Sequence, residues 1–197
     1  MFLLRHGETA LNAAGVLRGQ LDVPLSATGR NEAAALGAAL GEVSFSAVVS
    51  SPLKRALETA RPVVEATAAP FRIDKRLRDR SYGKWAGVAL GEIVERFGSI
   101  DAAPCVEDRD LFEQRVLEAF RAALEPGGTG PAKLPAKVAL VTHDAVIRTL
   151  LAALLPSFNS ASLQLPTGSW SELVARGEAG PFEPVCLGQL PAGGCRP

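Results

Sequence analysis

Short apolar runs recur along this chain, and stretches of helical length rich in alanine and leucine separate them. Phe2-Leu3-Leu4-Arg5 is the first run, Ala47-Val48-Val49-Ser50 the second and Val138-Ala139-Leu140-Val141-Thr142 the third. Continuous apolar runs of this kind, without polar alternation, describe strands buried on both faces. Strands that alternate with helices pair side by side in parallel, and their crossover helices cover the sheet. The fold class set by this pattern is therefore α/β, with a mainly parallel central sheet and helices on both faces.

The intervening segments carry helix signals. Ser26 is placed to cap a helix over Ala27–Leu40, and Pro52 suits the first turn of another that runs to about Thr67, with Pro62 expected to kink or split it. Phe71–Asp74 reads as a short strand, and Lys75–Gly87 as a loop crossing the mouth of a site. Helices are expected at Val88–Phe97, Asp110–Leu124 and Ala145–Leu155, the last stopped by Pro156. Pro126–Pro135 reads as a plain connection, and further short strands are expected near Ser162–Leu165, Trp170–Val174 and Pro184–Leu187. At 197 residues the chain is expected to form one domain, 1–197, with a flexible tail from about residue 188.

In such a sheet, ligands bind beyond the carboxyl ends of the strands. The chain has only two histidines, and each directly follows an apolar run, His6 the first and His143 the third. Arg5 precedes His6, and Arg55 follows the second run within one helical turn. Three strand ends carrying Arg5, His6, Arg55 and His143 describe a cationic pocket suited to a phosphate. Arg5 and His6 would face opposite sides of a continuing strand, so they share one crevice only if the strand ends there, as Gly7 permits.

Composition narrows the setting. Lys+Arg and Asp+Glu both number 21, so no global field recruits nucleic acid or a membrane surface, and attraction for an anion must be local. The three cysteines, Cys105, Cys186 and Cys195, are odd in number and widely spaced, against a disulfide framework. No metal is expected from His6, His143 and nearby aspartates, since neither a helical histidine pair nor clustered cysteine accompanies them. Gly127–Gly130 before Lys133 reads as plain loop rather than a nucleotide cradle, because Ala132 stands where a glycine should precede the lysine. The start of the chain carries no basic leader and no apolar run is of bilayer length, so the expectation is a cytoplasmic protein.

Leu4-Arg5-His6-Gly7-Glu8-Thr9 resembles the core signature of the histidine phosphatase superfamily, the phosphoglycerate mutase-like proteins. Asp22-Val23-Pro24-Leu25-Ser26 with Gly29 and Ala33 resembles the family's segment opening the first helix. Ser50-Ser51-Pro52-Leu53-Lys54-Arg55-Ala56 with Thr59-Ala60 resembles its second arginine motif. Leu77-Arg78-Asp79-Arg80-Ser81-Tyr82-Gly83 resembles its acid-carrying loop, and Val141-Thr142-His143 with Ile147-Arg148 its second histidine motif. The order of these motifs matches along nearly the whole chain.

The resemblance implies that His6 becomes phosphorylated while Arg5, Arg55 and His143 hold the phosphate, with Asn12 adding a hydrogen bond. It implies no cofactor and a small phosphorylated substrate. The chemistry agrees: a neutral imidazole is a good nucleophile, and arginine forks match phosphate oxygens. Such preorganised donors supply ~3 kcal/mol each to a transition state.

The pattern also departs from the family. Asp79 stands where a glutamate is usual, and Asp144, directly after His143, is the rival proton donor. The family's Arg-x-Gln-Gly becomes Val16-Leu17-Arg18-Gly19, so Arg18 is expected to reach toward the ligand. The frequent Gly-Glu-Ser segment is replaced by Cys105-Val106-Glu107-Asp108. Arg80 and Tyr82 resemble the mutase loop and are expected to contact substrate, whereas Arg148 reads as a packing or ion-pair residue. The mutases' insertion after this loop is absent, so the expected function is phosphomonoester hydrolysis through phosphohistidine. A cofactor-dependent phosphoglycerate mutase is the first alternative and an inactive phosphate-binding adaptor the second. A homodimer stays open.

Overall fold

The computed structural model describes residues 1–125, 137–159, 162–177 and 180–191. Strand β1 is Phe2–Arg5, β2 Phe45–Ser50, β3 Phe71–Ile73, β4 Lys137–Thr142, β5 Trp170–Ala175 and β6 Phe182–Gln189. They form one six-stranded sheet in the order β3-β2-β4-β1-β5-β6. β3, β2, β4 and β1 pair in parallel, while β5 runs antiparallel to β1 and to β6. The α/β class is borne out.

Helices α2 (Ala27–Leu40), α3 (Lys54–Thr67), α5 (Arg109–Leu124) and α6 (Asp144–Leu154) follow the strands, with short α1 (Ala10–Ala13) and α4 (Leu90–Phe97) in the connections. Because side chains alternate across a strand, β1 feeds two cores. Phe2 and Leu4, with Val48, Ala139 and Val141, pack on Leu36 and Leu40 of α2 and on Ala60 and Val63 of α3. Leu3, with Val49 and Leu140, packs on Phe112 and Val116 of α5 and on Ile147 and Leu150 of α6. A third cluster, built on Trp85, Ile93 and Ala103, gathers Leu17, Tyr82 and Val106 around α4.

Several local outcomes differ from expectation. Pro52 precedes α3, whose N-cap is Leu53, and the helix runs through Pro62 without splitting. A Cβ at Gly37 would lie 2.7 Å from the Pro62 carbonyl oxygen, so α2 closes tightly over this stretch and packing holds the helix together. Residues 162–165 form no strand. β6 continues through Gln189, which pairs with Trp170, and the Gly188 N–H donates to Ser171 Oγ, so residues 188 and 189 belong to the sheet. The Pro126–Pro135 connection and Cys195 lie outside the described residues. Among the described residues no helix is long and apolar enough to cross a membrane.

Candidate active site

Three neighbouring strands end together. Arg5 pairs with Thr142, the His6 N–H donates to the Thr142 carbonyl at 3.0 Å, and the Ser51 N–H donates to the Val141 carbonyl at 3.0 Å. Parallel register therefore brings His6, His143 and Ser51 side by side at one end of the sheet, with the imidazole centroids 5.1 Å apart. β1 stops at Arg5 and the chain turns at Gly7. A Cβ there would lie 2.4 Å from the Gly29 carbonyl oxygen, so only glycine lets this turn press against the start of α2.

His6 is fully buried. Its Nδ1 lies 2.7 Å from the Gly7 carbonyl oxygen, which can only accept, so Nδ1 carries the proton. Nε2 is left with its lone pair and receives the Arg55 Nε–H at 3.2 Å. Burial, then the Arg55 charge, holds the imidazole well below its ordinary pKa. His143, also fully buried, lies with Nε2 2.8 Å from Ser51 Oγ and is lowered for the same two leading reasons. The site thus contains two neutral imidazoles.

Arg55, at the start of α3, has no exposed surface. Its Nε and Nη2 form one edge of the guanidinium, and that edge meets His6 Nε2 and, at 3.4 Å, Asp79 Oδ2. Nη1 and Nη2 also donate to the carbonyls of Leu21 and Gly19, both at 2.7 Å. One cation therefore spans a neutral imidazole and a carboxyl. Burial pushes the Asp79 carboxyl up, and Arg55 and Arg18 only partly offset this.

The other expected residues fall in different places. Arg5 Nη1 donates to the Leu165 carbonyl and lies 3.5 Å from Asp144 Oδ1. Asp144 opens α6 and pairs with Arg148 Nε at 2.8 Å, the ion-pair role foreseen for Arg148. Arg18 Nη1 donates to the Val16 carbonyl, and its charge acts on His6, Arg55, Asp79 and His143 alike. Tyr82 packs against Gly19, and burial raises its hydroxyl. Arg80 is turned toward the 101–107 segment, where it pairs with Asp101 and donates to the Glu107 carbonyl. Asn12 completes the cap that Thr9 makes on α1, its Oδ1 accepting from the Thr9 N–H and hydroxyl, which leaves its amide donors for other partners. Ser51 and Thr59 (which accepts the Gly7 N–H at 3.0 Å), named above only as part of a motif, and Arg115, not singled out from the sequence, also contribute to the site.

Four buried side-chain atoms among the described residues have no hydrogen-bond partner: Arg5 Nε, Arg18 Nε, His143 Nδ1 and Ser169 Oγ. All belong to this end of the sheet, since the Ser169 carbonyl takes the Arg5 N–H. An unpaired buried polar group costs about 1–3 kcal/mol, so their convergence fits a site for an anion with several acceptor oxygens. No three His, Cys, Asp or Glu side chains gather as a metal would need, among the described residues.

A neutral imidazole whose lone pair meets a guanidinium edge, beside a protonatable carboxyl, is an arrangement suited to phosphoryl transfer. The comparisons agree. The model of the histidine phosphatase superfamily (branch 1) matches residues 1–184. A glucosyl-3-phosphoglycerate phosphatase of Mycobacterium tuberculosis (strain ATCC 25618 / H37Rv) is 34% identical over 91% of this chain and 82% of its own. The structure of the mycobacterial glucosyl-3-phosphoglycerate phosphatase complexed with VO3 superposes with a TM-score of 0.78 at 31% identity, covering 93% of this chain and 96% of that one. A phosphoglycerate mutase from Bacillus anthracis str. Sterne gives a TM-score of 0.80 at 26% identity, covering 95% and 92%. The chain belongs to the histidine phosphatase superfamily, and within it to the phosphatases that hydrolyse phosphomonoesters.

The two lowered imidazoles make acid stability a direct readout of the site. Both rings take up protons below their ordinary value of 6.5 in the unfolded chain, and only at lower pH in the folded chain. Stability contributed by neutral His6 and His143 is present above that value and is lost as pH falls toward the folded pKa, by about 1.4 kcal/mol per pH unit and ring. Asp79 works in the opposite sense, since its raised carboxyl binds a proton first in the folded state. We expect urea midpoints to fall between about pH 6.5 and 5, and to fall less steeply in His143→Gln. An unchanged slope in that variant would place the acid lability elsewhere.

Proposed function

We propose that this phosphatase passes the phosphoryl group of a small phosphorylated metabolite through His6, with Asp79 as the proton donor. The observation carrying this reading is the single Arg55 edge that meets both His6 Nε2 and Asp79 Oδ2. In the first step Nε2 bonds to phosphorus, the ester P–O bond breaks, and Asp79 gives its proton to the departing oxygen. In the second, water attacks phosphorus, Asp79 takes a water proton, and the P–N bond breaks to release phosphate and neutral His6. Arg5, Arg55 and His143 bear the equatorial oxygens, and Arg18 adds a cation nearby. Asp144 is the weaker candidate for the acid because its oxygens are committed to Arg148 and face Arg5.

For the substrate, we propose a glycosylated or plain phosphoglycerate, following the mycobacterial relatives. Arg18, with its buried unpartnered Nε, supplies a cation that a glycerate carboxylate can take. Testing starts with kcat/KM, which reports the steps through the departure of the leaving group. For Asp79→Asn we expect a fall of about 10²–10⁴-fold with an alkyl phosphate, whose alkoxide needs a proton, and a far smaller fall with a dinitrophenyl phosphate. Equal falls on both esters would remove Asp79 as the acid. Isomerisation of 3-phosphoglycerate with a bisphosphate primer, faster than phosphate release, would instead assign the mutase reaction.

A further inference from the structure

Arg115 lies on α5, and every N–H of its guanidinium is used. Nε and Nη2 bond to the two oxygens of Glu107 at 2.7 and 2.9 Å. Nη1 donates to the carbonyls of Arg76 and Arg78 at 2.6 and 2.8 Å, and Nη2 also to the carbonyl of Asp79 at 3.0 Å. Three carbonyls from one short loop thus converge on a single side chain, and the third belongs to the residue that carries the acid.

Glu107 completes the grip from the other side. Its Oε2 accepts the Ser81 N–H at 2.8 Å, and its own N–H donates to the Ser81 carbonyl at 2.8 Å. Burial alone would raise the Glu107 carboxyl, but Arg115 and the Ser81 N–H outweigh it and hold the group ionised. The two side chains retain only 18% and 19% of their exposure, so the pair is shielded, unlike the exposed ion pairs that contribute ~0–1 kcal/mol. The main chain is therefore fixed on both sides of Asp79. The Asp79 carboxyl itself has lighter restraint: the Arg80 N–H at 3.0 Å and the long Arg55 contact.

We propose that Arg115, locked by Glu107, is a positioning residue for proton donation. It touches neither substrate nor phosphate, and it sets the backbone from which the Asp79 carboxyl reaches the leaving oxygen. This rests on Asp79 being the acid. The alternative is a purely structural brace, and leaving groups separate the two. A brace that fails lowers turnover of every ester alike, whereas a displaced acid penalises only esters whose leaving oxygen needs a proton.

The test compares Arg115→Lys, which keeps the charge but cannot span Glu107 and three carbonyls, with Glu107→Gln, which keeps the Ser81 contacts and weakens the fork. For Arg115→Lys we expect kcat/KM on an alkyl phosphate to fall by about 10²-fold, the scale of a misplaced catalytic group, and on a dinitrophenyl phosphate far less. Glu107→Gln should shift the same ratio in the same direction by a smaller factor, and it decides the matter should Arg115→Lys fail to fold. Proportional falls on both esters, or no fall on either, overturn the inference. Asp79→Asn run alongside separates the two failures. If it shows no leaving-group dependence, the acid assignment falls; if it alone shows it, only the role of Arg115 falls.

Discussion

Replacing His6 with alanine is expected to lower kcat/KM for phosphomonoesters by about 10⁶-fold, the scale on which an enzyme loses its covalent nucleophile. No neighbour can take over. The His143 ring is 5.1 Å away by centroid, and it lacks the tie to the Gly7 carbonyl that fixes the His6 tautomer and turns the His6 Nε2 lone pair into the site. The sharper measurement is chemical trapping. Wild-type protein mixed with labelled phosphoester and quenched in alkali should carry phosphate on one histidine, acid-labile and base-stable, and His6→Ala should carry none. His143→Gln should still label, more slowly, because it removes a phosphate contact and leaves the nucleophile. Label persisting in His6→Ala, or turnover within about tenfold of wild type, would move the nucleophile to another residue.

Much of this site was legible because buried parallel strands write continuous apolar runs, and functional groups then fall at their ends. His6 and His143 needed no more than that, and parallel register placed them together as expected. What escaped had no side-chain signature. Arg115 works through the carbonyls of Arg76, Arg78 and Asp79, and backbone oxygens carry no residue identity. Its only trace is Glu107 before an Asp108 cap, with Arg115 two turns into the helix. Arg80 shows the converse problem: its type and position fit a ligand contact, but a long side chain in a loop can turn either way, and here Asp101 and the Glu107 carbonyl hold it. Helix α1 was missed because it is short and owes its existence to the reciprocal Thr9–Asn12 cap rather than to an apolar period.

Arg55→Ala is the second large effect, and it should strike stability and catalysis together. The guanidinium is fully buried and joins His6, Asp79 and the carbonyls of Gly19 and Leu21. Removing one partner of a buried ion pair costs about 3–5 kcal/mol, because the remaining charge loses its compensation. Asp79 can escape part of that cost by taking a proton, since burial already raises it and Arg55 is the leading influence holding it down. This fixes the sign of a pH effect. Activity that needs protonated Asp79 falls as pH rises through its pKa, so without Arg55 that falling limb should move to higher pH. Loss of the phosphate fork should lower kcat/KM by about 10³-fold or more at the optimum. Arg55→Lys restores a positive charge but offers no edge that can meet His6 Nε2 and Asp79 Oδ2 at once. It should therefore recover part of the urea midpoint and return the alkaline limb toward its wild-type position, while kcat/KM stays low. Recovery of kcat/KM by lysine in step with stability would mean that Arg55 acts through charge alone, and that the shared edge has no part in aligning nucleophile and acid.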